Sequence, residues 1–198
     1  MESIYNKEEL SKKHQEIENY YYFKSEFSNE EIEKIKKMGE NIIEEDGTVG
    51  KNSDVKESYR NSKIKWLYKN QENKWLYEKI TNYVKIANRN IWNYDIVGFG
   101  EPFQLGTYVE ENKGHYDWHM DCDSTNSFRK ISISVQLSDP SEYEGGQLQL
   151  YTKRNISDLP KEKGTIILFS SFLLHQVTPV TKGKRMSLVA WVTGPQFR

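Results

Sequence analysis

The sequence predicts an α+β fold, with an antiparallel β-core of sandwich or jelly-roll type and helices packed outside it. The first observation is that apolar residues recur with helical spacing in segments before about residue 96. The second is that the spacing then changes toward two residues, which is the period of a strand. The third is that turns containing glycine, proline or serine separate these short strands at steady intervals.

The length and charge of the chain fit a single structural domain. Its 198 residues are enough for one core. We expect residues 1–95 to form a helical and strand elaboration that packs on the core, and residues 96–198 to form the β-core. The formal net charge is -1, from 28 basic and 29 acidic side chains. That balance predicts neither a nucleic acid nor a membrane as partner, and it leaves the oligomeric state open.

Two helices are predicted in the first half of the chain. Ser28 and Glu31 have the spacing of a capping box, in which each side chain accepts a hydrogen bond from the backbone of the other residue. The helix that they begin would bury an apolar stripe formed by Ile32, Ile35, Met38, Ile42 and Ile43. A second helix is predicted over about 72–88, after a short strand at 66–67. The polar, glycine-containing segment 45–62 is predicted to be a loop.

The second half reads as a series of strands. The segment 130–138 alternates, with Ile131, Ile133, Val135 and Leu137 on one face and Ser132, Ser134 and Gln136 on the other. Further apolar or β-branched runs lie at 146–151, 164–169, 172–177 and 185–193. A turn is predicted at Lys182–Lys184, before the last run. Gly145 and Gly146 predict a tight turn that needs positive φ.

The segment GHYDWHMDCD, residues 114–123, contains the pattern His-x-Asp twice. In an extended chain, five polar side chains would lie on one side: His115, Asp117, His119, Asp121 and Asp123. Imidazoles and carboxylates crowded on one face favour a bound cation between them. The residues alone make the two His-x-Asp pairs nearly equal candidates. The structural alternative is one core histidine that is hydrogen-bonded to a carboxylate.

Three later residues extend this pattern toward a particular chemistry. His175 lies in the apolar run FLLHQV, where an unpaired imidazole is costly. With one His-x-Asp pair it completes a set of two histidines and one carboxylate, typical of non-haem Fe(II) oxygenases. Arg185 and Ser187 share a strand face ten residues later, and a guanidinium binds a carboxylate through two parallel hydrogen bonds. We expect Arg185 to hold the far carboxylate of a dicarboxylate co-substrate.

These motifs together resemble the Fe(II)/2-oxoglutarate-dependent dioxygenases, in the prolyl 4-hydroxylase-like branch that includes the PKHD-type hydroxylases. The similarity extends from about Gln104 to Pro195. It is carried by QLGTY at 104–108, YDWHMD at 116–121, ISISVQLS at 131–138, EGGQL at 144–148, HQVTPV at 175–180 and KRMSLV at 184–189. The resemblance implies a double-stranded β-helix (jelly-roll) core with the metal between its sheets.

The resemblance also implies the roles of individual residues. The metal ligands, which are also the catalytic residues, would be His119, Asp121 and His175. The co-substrate 2-oxoglutarate would be bound by Arg185, Tyr108 and Ser187. His115 and Asp117 would then lie at the mouth of the cleft or in the loop before the strand.

The activity implied by the resemblance is hydroxylation of a C–H bond with release of succinate and CO2. A prolyl residue of a peptide or protein is the leading substrate candidate, and small molecules are the other. Fe(II) is the implied cofactor, and ascorbate is a further candidate. The alternatives are a jelly-roll zinc or manganese hydrolase or isomerase, since those ions accept the same ligands, and a binding module without turnover. The single cysteine, Cys122, and the lack of an apolar run of membrane length predict a cytoplasmic protein.

Overall fold

A computed structural model describes residues 19–48, 56–124, 126–152 and 155–197. Within these ranges it has two α-helices, α1 (Asn29–Met38) and α2 (Lys74–Ala87). The strands are β1 (Tyr20–Phe23), β2 (Glu45–Asp46), β3 (Arg60–Asn61), β4 (Lys63–Leu67), β5 (Gly98–Phe99), β6 (Phe103–Val109), β7 (His115–His119), β8 (Arg129–Gln136), β9 (Tyr143–Gly145), β10 (Leu148–Thr152), β11 (Asn155–Asp158), β12 (Ile166–Ser170), β13 (His175–Val177) and β14 (Val180–Thr193). Neither helix is long and apolar enough to cross a membrane.

The strands form two antiparallel sheets. The larger has the order β1-β12-β8-β14-β6-β4-β2, and β5 and β9 also pair with β14. The smaller has the order β11-β10-β13-β7-β3. Side chains from both sheets line one cavity, which therefore lies between them. This arrangement confirms the predicted jelly-roll core.

Alternate residues of the central strand β8 face two different environments. Ile131 and Ile133 pack into the apolar cluster that contains the helices, whereas Ser132 and Ser134 line the cavity between the sheets. The alternation predicted for 130–138 is therefore confirmed, but its polar face is as buried as its apolar face. Buried polar side chains are costly without partners, so this face indicates a site for polar chemistry.

Helix α1 begins as the capping box predicts. The Oγ of Ser28 accepts a 3.2 Å hydrogen bond from the backbone N–H of Glu31, and Oε2 of Glu31 accepts one of 2.8 Å from the backbone N–H of Ser28. Ile32 and Ile35 then point into the apolar cluster and are fully buried. The apolar stripe of α1 thus packs the helix against the outside of the β-core.

Helix α2 packs in the same cluster. Its buried side chains are Leu76, Tyr77, Ile80, Val84 and Ala87. The ring of Tyr77 stacks on Phe103 of β6 with centroids 3.7 Å apart, and its hydroxyl donates to the carbonyl oxygen of Leu67 in β4 at 2.9 Å. Both predicted helices therefore lie outside the β-core, as the sequence indicates.

The structure corrects two predictions in the first half. Helix α1 ends at Met38, with the N–H of Gly39 bonded to the carbonyl of Lys36, so the predicted stripe is too long. Ile43 lies beyond the helix and is 83% exposed. The predicted loop 45–62 contains the short strands β2 and β3, each at the edge of its sheet. Polar edge strands show no apolar period from which they could be predicted. The part of this predicted loop at 49–55 lies outside the described ranges.

The predicted turn at Lys182–Lys184 is instead part of β14, which continues from Val180 to Thr193. Gly183 has a φ of 72°, and the pairing with β9 is irregular nearby. Glycine lets a strand bend there without ending. The turn predicted at the paired glycines is confirmed, since Gly145 and Gly146 have φ of 73° and 55°.

Segments from the first 95 residues are joined to the core by backbone hydrogen bonds as well as by apolar packing. Strand β1 pairs with β12, and β4 pairs with β6, both within the larger sheet. Strand β3 pairs with β7 at the edge of the smaller sheet. The N-terminal region therefore contributes directly to the walls around the cavity. The division at residue 95 stays a prediction.

Candidate metal centre

A cavity of about 370 Å³ lies between the two sheets. Strands β6, β8 and β14 line it from the larger sheet, and β7, β10 and β13 line it from the smaller sheet. His119, Asp121, His175 and Arg185 all face it. One cavity thus contains the three sequence-predicted ligands and the predicted carboxylate-binding arginine.

The three predicted ligands converge. One ligand atom from each of His119, Asp121 and His175 lies within 4.8 Å of the others. Nε2 of His175 is 3.4 Å from Oδ2 of Asp121, and Nε2 of His119 is 3.8 Å from Oδ1. In the described part of the chain this is the only such group of three metal-ligating side chains. The group is compact enough for one ion.

Backbone carbonyls orient both imidazole rings. Nδ1 of His119 is 2.7 Å from the carbonyl oxygen of Asp117, and Nδ1 of His175 is 2.9 Å from that of Leu173. A carbonyl oxygen only accepts hydrogen bonds, so each Nδ1 carries the hydrogen and donates it. Each Nε2, the atom that faces Asp121, then presents its lone pair. This is the tautomer that binds a metal through Nε2.

Asp121 lies in the loop after β7, and the opposite sheet holds it in place. The backbone N–H groups of Asp121 and Cys122 both donate to the carbonyl oxygen of Ser171 at 2.9 Å. The hydroxyl of Ser132 on β8 donates to Oδ2 of Asp121 at 2.6 Å. These contacts fix both the backbone and the carboxylate of the residue.

The protonation states suit a cation. Burial lowers the pKa of His119 to about 3, and the neighbouring His175 acts in the same direction. Burial opposes ionisation of Asp121, but His175, His119 and Arg129 outweigh it and lower the pKa of that carboxyl to about 2. At neutral pH the site therefore presents a neutral imidazole and a carboxylate, the forms that bind a metal.

A bulge separates the two His-x-Asp pairs. His119 pairs with His175, and Tyr116 pairs with Val177. Between these two pairs β7 advances by three residues while β13 advances by two, so β7 contains one extra residue. The extra residue changes which side of the strand the following residues face. Tyr116 and His119 consequently both line the cavity, and their rings stack with centroids 3.5 Å apart.

His115 and Asp117 are not among the side chains that line the cavity. Nδ1 of His115 is 2.9 Å from the carbonyl oxygen of Lys113, and Asp117 is exposed, with Oδ1 accepting from the N–H of Trp118. The expectation that all five polar residues of this segment share one face is wrong, because the bulge interrupts the alternation. The expectation of a loop is also wrong, since β7 begins at His115.

Arg185 is only 1% exposed. Its Nη2 donates to Oε1 of Gln136 at 3.1 Å, and its Nη1 donates weakly to Oγ of Ser187 at 3.4 Å. Its Nε–H has no hydrogen-bond partner, and no carboxylate of the described residues forms an ion pair with it. A buried guanidinium with unused donors and an unpaired charge is costly. A bound carboxylate would supply both the missing acceptors and the missing charge.

The other two residues expected at the co-substrate site lie beside Arg185. Tyr108 of β6 is directly opposite Arg185 in the sheet register, is 5% exposed, and has its ring centroid 5.4 Å from Cζ of Arg185. Ser187 is buried two residues along the same strand. Both line the cavity. The structure thus brings the predicted anion-binding residues and the predicted metal ligands together.

Three functional candidates were not singled out by the sequence. Arg129 pairs with Glu101 through two contacts, one of 2.7 Å, and its Cζ lies 3.9 Å from the ring centroid of Trp191. Arg60 lines the cavity from β3, in the segment predicted to be a loop. Neither arginine lies in a pattern that marks it. Ser132 could be recognised from the sequence, because it lies on the polar face of β8 and a buried polar face needs hydrogen-bond partners.

The sequence of the second half matches a known family. Residues 103–193 match the sequence profile of the 2OG-Fe(II) oxygenase superfamily. The chain is 32% identical over 113 residues to a PKHD-type hydroxylase of Synechococcus sp. (strain CC9311), covering 54% of this chain and 51% of that protein. It is 37% identical over 89 residues to one of Aliarcobacter butzleri (strain RM4018), covering 41% and 39%. The chain thus spans about half, or less, of the length of these relatives.

Solved structures share the fold over nearly the whole chain. A prolyl hydroxylase from Trichoplax adhaerens, in complex with a hypoxia inducible factor oxygen degradation domain peptide fragment, has a TM-score of 0.77 at 16% identity, covering 96% of this chain and 94% of that chain. A Pseudomonas putida prolyl-4-hydroxylase has a TM-score of 0.68 at 16% identity, covering 89% and 93%. At these identities the likeness establishes the fold alone.

The profile match begins at the first residue of β6 and ends at the last residue of β14, and it includes every residue of the converging group. The relatives found by sequence are PKHD-type hydroxylases. Residues 103–193, slightly less than half of the chain, are therefore similar to the 2OG-Fe(II) oxygenase superfamily, and the relatives named above place this similarity nearest to PKHD-type hydroxylases.

Proposed function

We propose that the chain is an Fe(II)- and 2-oxoglutarate-dependent dioxygenase that hydroxylates a C–H bond of a prolyl residue in a peptide or protein. The observation that supports this best is the buried, unpaired Arg185 in the cavity that contains the His-Asp-His group. The metal-ligating group alone would suit several ions. A zinc or manganese hydrolase or isomerase, however, gives no reason for a carboxylate-binding arginine beside it.

The donor set fits Fe(II). His119 and His175 would bind it through Nε2, and Asp121 through a carboxylate oxygen that Ser132 orients. Three protein ligands leave further coordination positions for other molecules, as in non-haem iron oxygenases. With 2-oxoglutarate and O2, bound Fe(II) would supply the oxidation of C–H to C–OH, with release of succinate and CO2.

The co-substrate would bind at the closed end of the cavity. Arg185 would hold the distal carboxylate, since its Nε–H is unused and its other donors bond only to neutral oxygens. Gln136 and Ser187 accept hydrogen bonds from the guanidinium, and Tyr108, whose ring centroid lies 5.4 Å from Cζ of Arg185, would add its hydroxyl. The role of these residues is to orient 2-oxoglutarate toward the metal ligands and to compensate its charge.

Part of the remaining lining is apolar and would protect the reaction from water. Leu148, Phe169, Val177 and Trp191 contribute buried apolar surface to the same cavity. A dry wall keeps reactive species away from solvent and strengthens the contacts of charged groups inside. The protein's contribution is therefore to position the reactants and to enclose them.

The prolyl substrate is supported by the shared fold with prolyl hydroxylases, one of them bound to a peptide fragment. Tyr116 and Trp66 provide aromatic surface in the cavity against which a pyrrolidine ring could pack. Ascorbate as a further cofactor and a cytoplasmic location stay predictions.

The experiment that tests the proposal measures succinate. The protein is incubated with Fe(II), O2 and 2-oxoglutarate, with and without a panel of prolyl peptides and free amino acids. We expect slow succinate formation without substrate, faster formation with a substrate, and none when Zn²⁺ replaces Fe(II). If the protein binds metal but forms no succinate under any condition, the proposal is wrong, and a hydrolase, an isomerase or a binding module takes its place.

A further inference from the structure

We propose that the cavity contains a second carboxylate-binding subsite, centred on Arg60, which selects a primary substrate with a carboxylate near the C–H bond that reacts. This inference rests on the proposed function and specifies the class of its substrate. Three observations support it: the contacts of Arg60, the pairing of the other charges in the cavity, and the position of Arg60 relative to the metal ligands.

Arg60 is close to the metal centre although it comes from an edge strand. It lies on β3, directly opposite Tyr116 of β7, and it is 7% exposed and faces the cavity. Its Cζ is 4.5 Å from the centroid of the Tyr116 ring, which stacks on the ring of His119. One aromatic ring therefore contacts both the guanidinium and a metal ligand. A group bound by Arg60 would lie next to the reacting centre.

The hydrogen-bonding capacity of Arg60 is not filled. Nε donates to Oγ of Ser62 at 2.9 Å, Nη1 donates to the carbonyl oxygen of Thr48 at 3.1 Å, and Nη2 donates to Oε1 of Gln104 at 3.0 Å. A guanidinium has five N–H donors, so each Nη retains one. All three acceptors are neutral, and in the described ranges no carboxylate forms an ion pair with Arg60. Its buried charge is therefore available to an anion.

Each of the other two arginines that line the cavity has an anionic partner, either observed or proposed. Six charged side chains line it: Arg60, Glu101, Asp121, Asp123, Arg129 and Arg185. Arg129 is paired with Glu101 through two hydrogen bonds. Arg185 is assigned to the distal carboxylate of 2-oxoglutarate. Arg60 is then the remaining guanidinium of the lining, and a second carboxylate in the cavity would bind to it.

The expected ligand group is a carboxylate, because a guanidinium fork matches its two oxygens. The carboxylate could come from a free amino acid or from an acidic residue beside the reacting residue of a peptide. Both sources present the same chemistry to Arg60, and the experiment distinguishes them.

The test compares substrates that differ only in that carboxylate. One pair is free L-proline and L-prolinamide; the other is a blocked prolyl peptide with glutamate beside the proline and the same peptide with glutamine. Wild type, Arg60→Gln and Arg60→Lys are compared, with Arg89→Gln as the control because it removes an exposed guanidinium. The readouts are KM and kcat for succinate formation, and binding under nitrogen from the fluorescence of the cavity tryptophans with Fe(II) and 2-oxoglutarate present.

We expect wild type to prefer the carboxylate member of one pair by about 10- to 100-fold in KM and in binding. Arg60→Gln should lose this preference while its affinity for the neutral member stays unchanged, and Arg89→Gln should behave like wild type. The pair that shows the preference identifies the source of the carboxylate. If Arg60→Gln fails to fold, Arg60→Lys, which keeps the charge without the fork, should show a reduced preference.

Equal affinity for both members of each pair in wild type would overturn the inference, and so would an unchanged preference in Arg60→Gln. Either result would leave Arg60 as an anchor that holds β3 through Ser62 and Thr48. A fluorescence titration that shows the Arg60-dependent preference, while no substrate supports succinate formation, would overturn the proposed dioxygenase activity and leave the carboxylate subsite standing. The two proposals can therefore fail separately.

Discussion

The Oγ of Ser132 donates a 2.6 Å hydrogen bond to Oδ2 of Asp121, and both side chains are buried. The same hydroxyl is 2.9 Å from Oγ of Ser171, whose carbonyl oxygen accepts from the backbone N–H of Asp121. A strand of the larger sheet thus fixes a carboxylate that follows a strand of the smaller sheet. The candidate metal centre therefore depends on how the two sheets meet, as well as on the three ligand side chains.

Replacing Ser132 with alanine should weaken metal binding by about 10- to 100-fold, since hydrogen bonds to a ligating carboxylate orient it. Ser134→Ala is the matched control, because Ser134 lies on the same face of β8 and has no side-chain hydrogen bond to Asp121. Calorimetric titration of the two variants with Mn²⁺ measures the difference. Equal affinities would show that the Ser132 hydroxyl does not support the ligand.

His119→Ala and His175→Ala should each abolish Fe(II) binding and turnover, because each removes one converging ligand. His115→Ala should retain Fe(II) binding, because the bulge in β7 leaves His115 out of the cavity lining. Metal content after anaerobic loading and gel filtration reports the result. Loss of iron from His115→Ala together with retention by His119→Ala would assign the site to the other His-x-Asp pair.

The metal-free protein should lose stability as the pH falls from 7 to 4. The pKa of His119 is about 3 in the fold, against an ordinary value of 6.5, so between these values the unfolded chain binds a proton that the folded protein does not. Asp121 acts in the same direction between pH 3.8 and about 2, where the unfolded carboxyl protonates first. His119→Gln removes the titrating imidazole and should reduce the loss by on the order of 2 kcal/mol.

Urea unfolding at pH 7, 5.5 and 4, with chelator present, measures this dependence. The free energy of unfolding of wild type should fall more steeply with acidification than that of His119→Gln. Parallel pH dependence in the two proteins would mean that His119 titrates normally in the fold.

Gly146→Ala should weaken 2-oxoglutarate binding by about 10-fold or more. An added Cβ would lie 2.9 Å from Cδ of Arg185 and 3.0 Å from Cγ2 of Val180, at a φ of 55° that disfavours alanine. We expect a stability loss of about 1–3 kcal/mol and a displaced guanidinium. Gly98→Ala is the control, since its φ is also positive but its Cβ would meet no atom within 4 Å.

Thermal unfolding and 2-oxoglutarate titration of both glycine variants separate backbone strain from contact with Arg185. Both variants should be less stable than wild type, and only Gly146→Ala should lose affinity. Unchanged affinity in a folded Gly146→Ala protein would show that Arg185 has room to move or takes no part in binding.

The parts of the fold that could be predicted from sequence are those where burial imposes a period. In β8 and α1, one face must pack against apolar neighbours, so the residues repeat with the spacing of the element. Strands β2 and β3 lie at sheet edges and consist of polar residues, so their sequences show no apolar period from which to predict a strand. The predicted helix is longer than α1 because Ile42, which packs against the apolar cluster from beyond the helix, and the exposed Ile43 continue its spacing after Gly39.

The residues of the candidate site also divide into those that the sequence could predict and those that it could not. His175 could be recognised because a histidine in an otherwise apolar strand needs a partner. Arg185 could be recognised because it shares a strand face with Ser187 after the candidate ligands. The separation of the two His-x-Asp pairs could not be derived by counting residues, since the bulge in β7 adds one step. Arg60 reaches the cavity only through tertiary pairing with Tyr116. A single sequence carries no sign of such long-range register.

The central claim is that one metal ion on His119, Asp121 and His175 binds beside one carboxylate on Arg185. The most direct measurement is titration of 2-oxoglutarate under nitrogen, with and without Fe(II), into wild type and Arg185→Gln. We predict that Fe(II) tightens 2-oxoglutarate binding in wild type, and that Arg185→Gln keeps its Fe(II) affinity but binds 2-oxoglutarate about 100-fold more weakly. Equal 2-oxoglutarate affinity in the two proteins, or affinity that is indifferent to Fe(II), would contradict the claim.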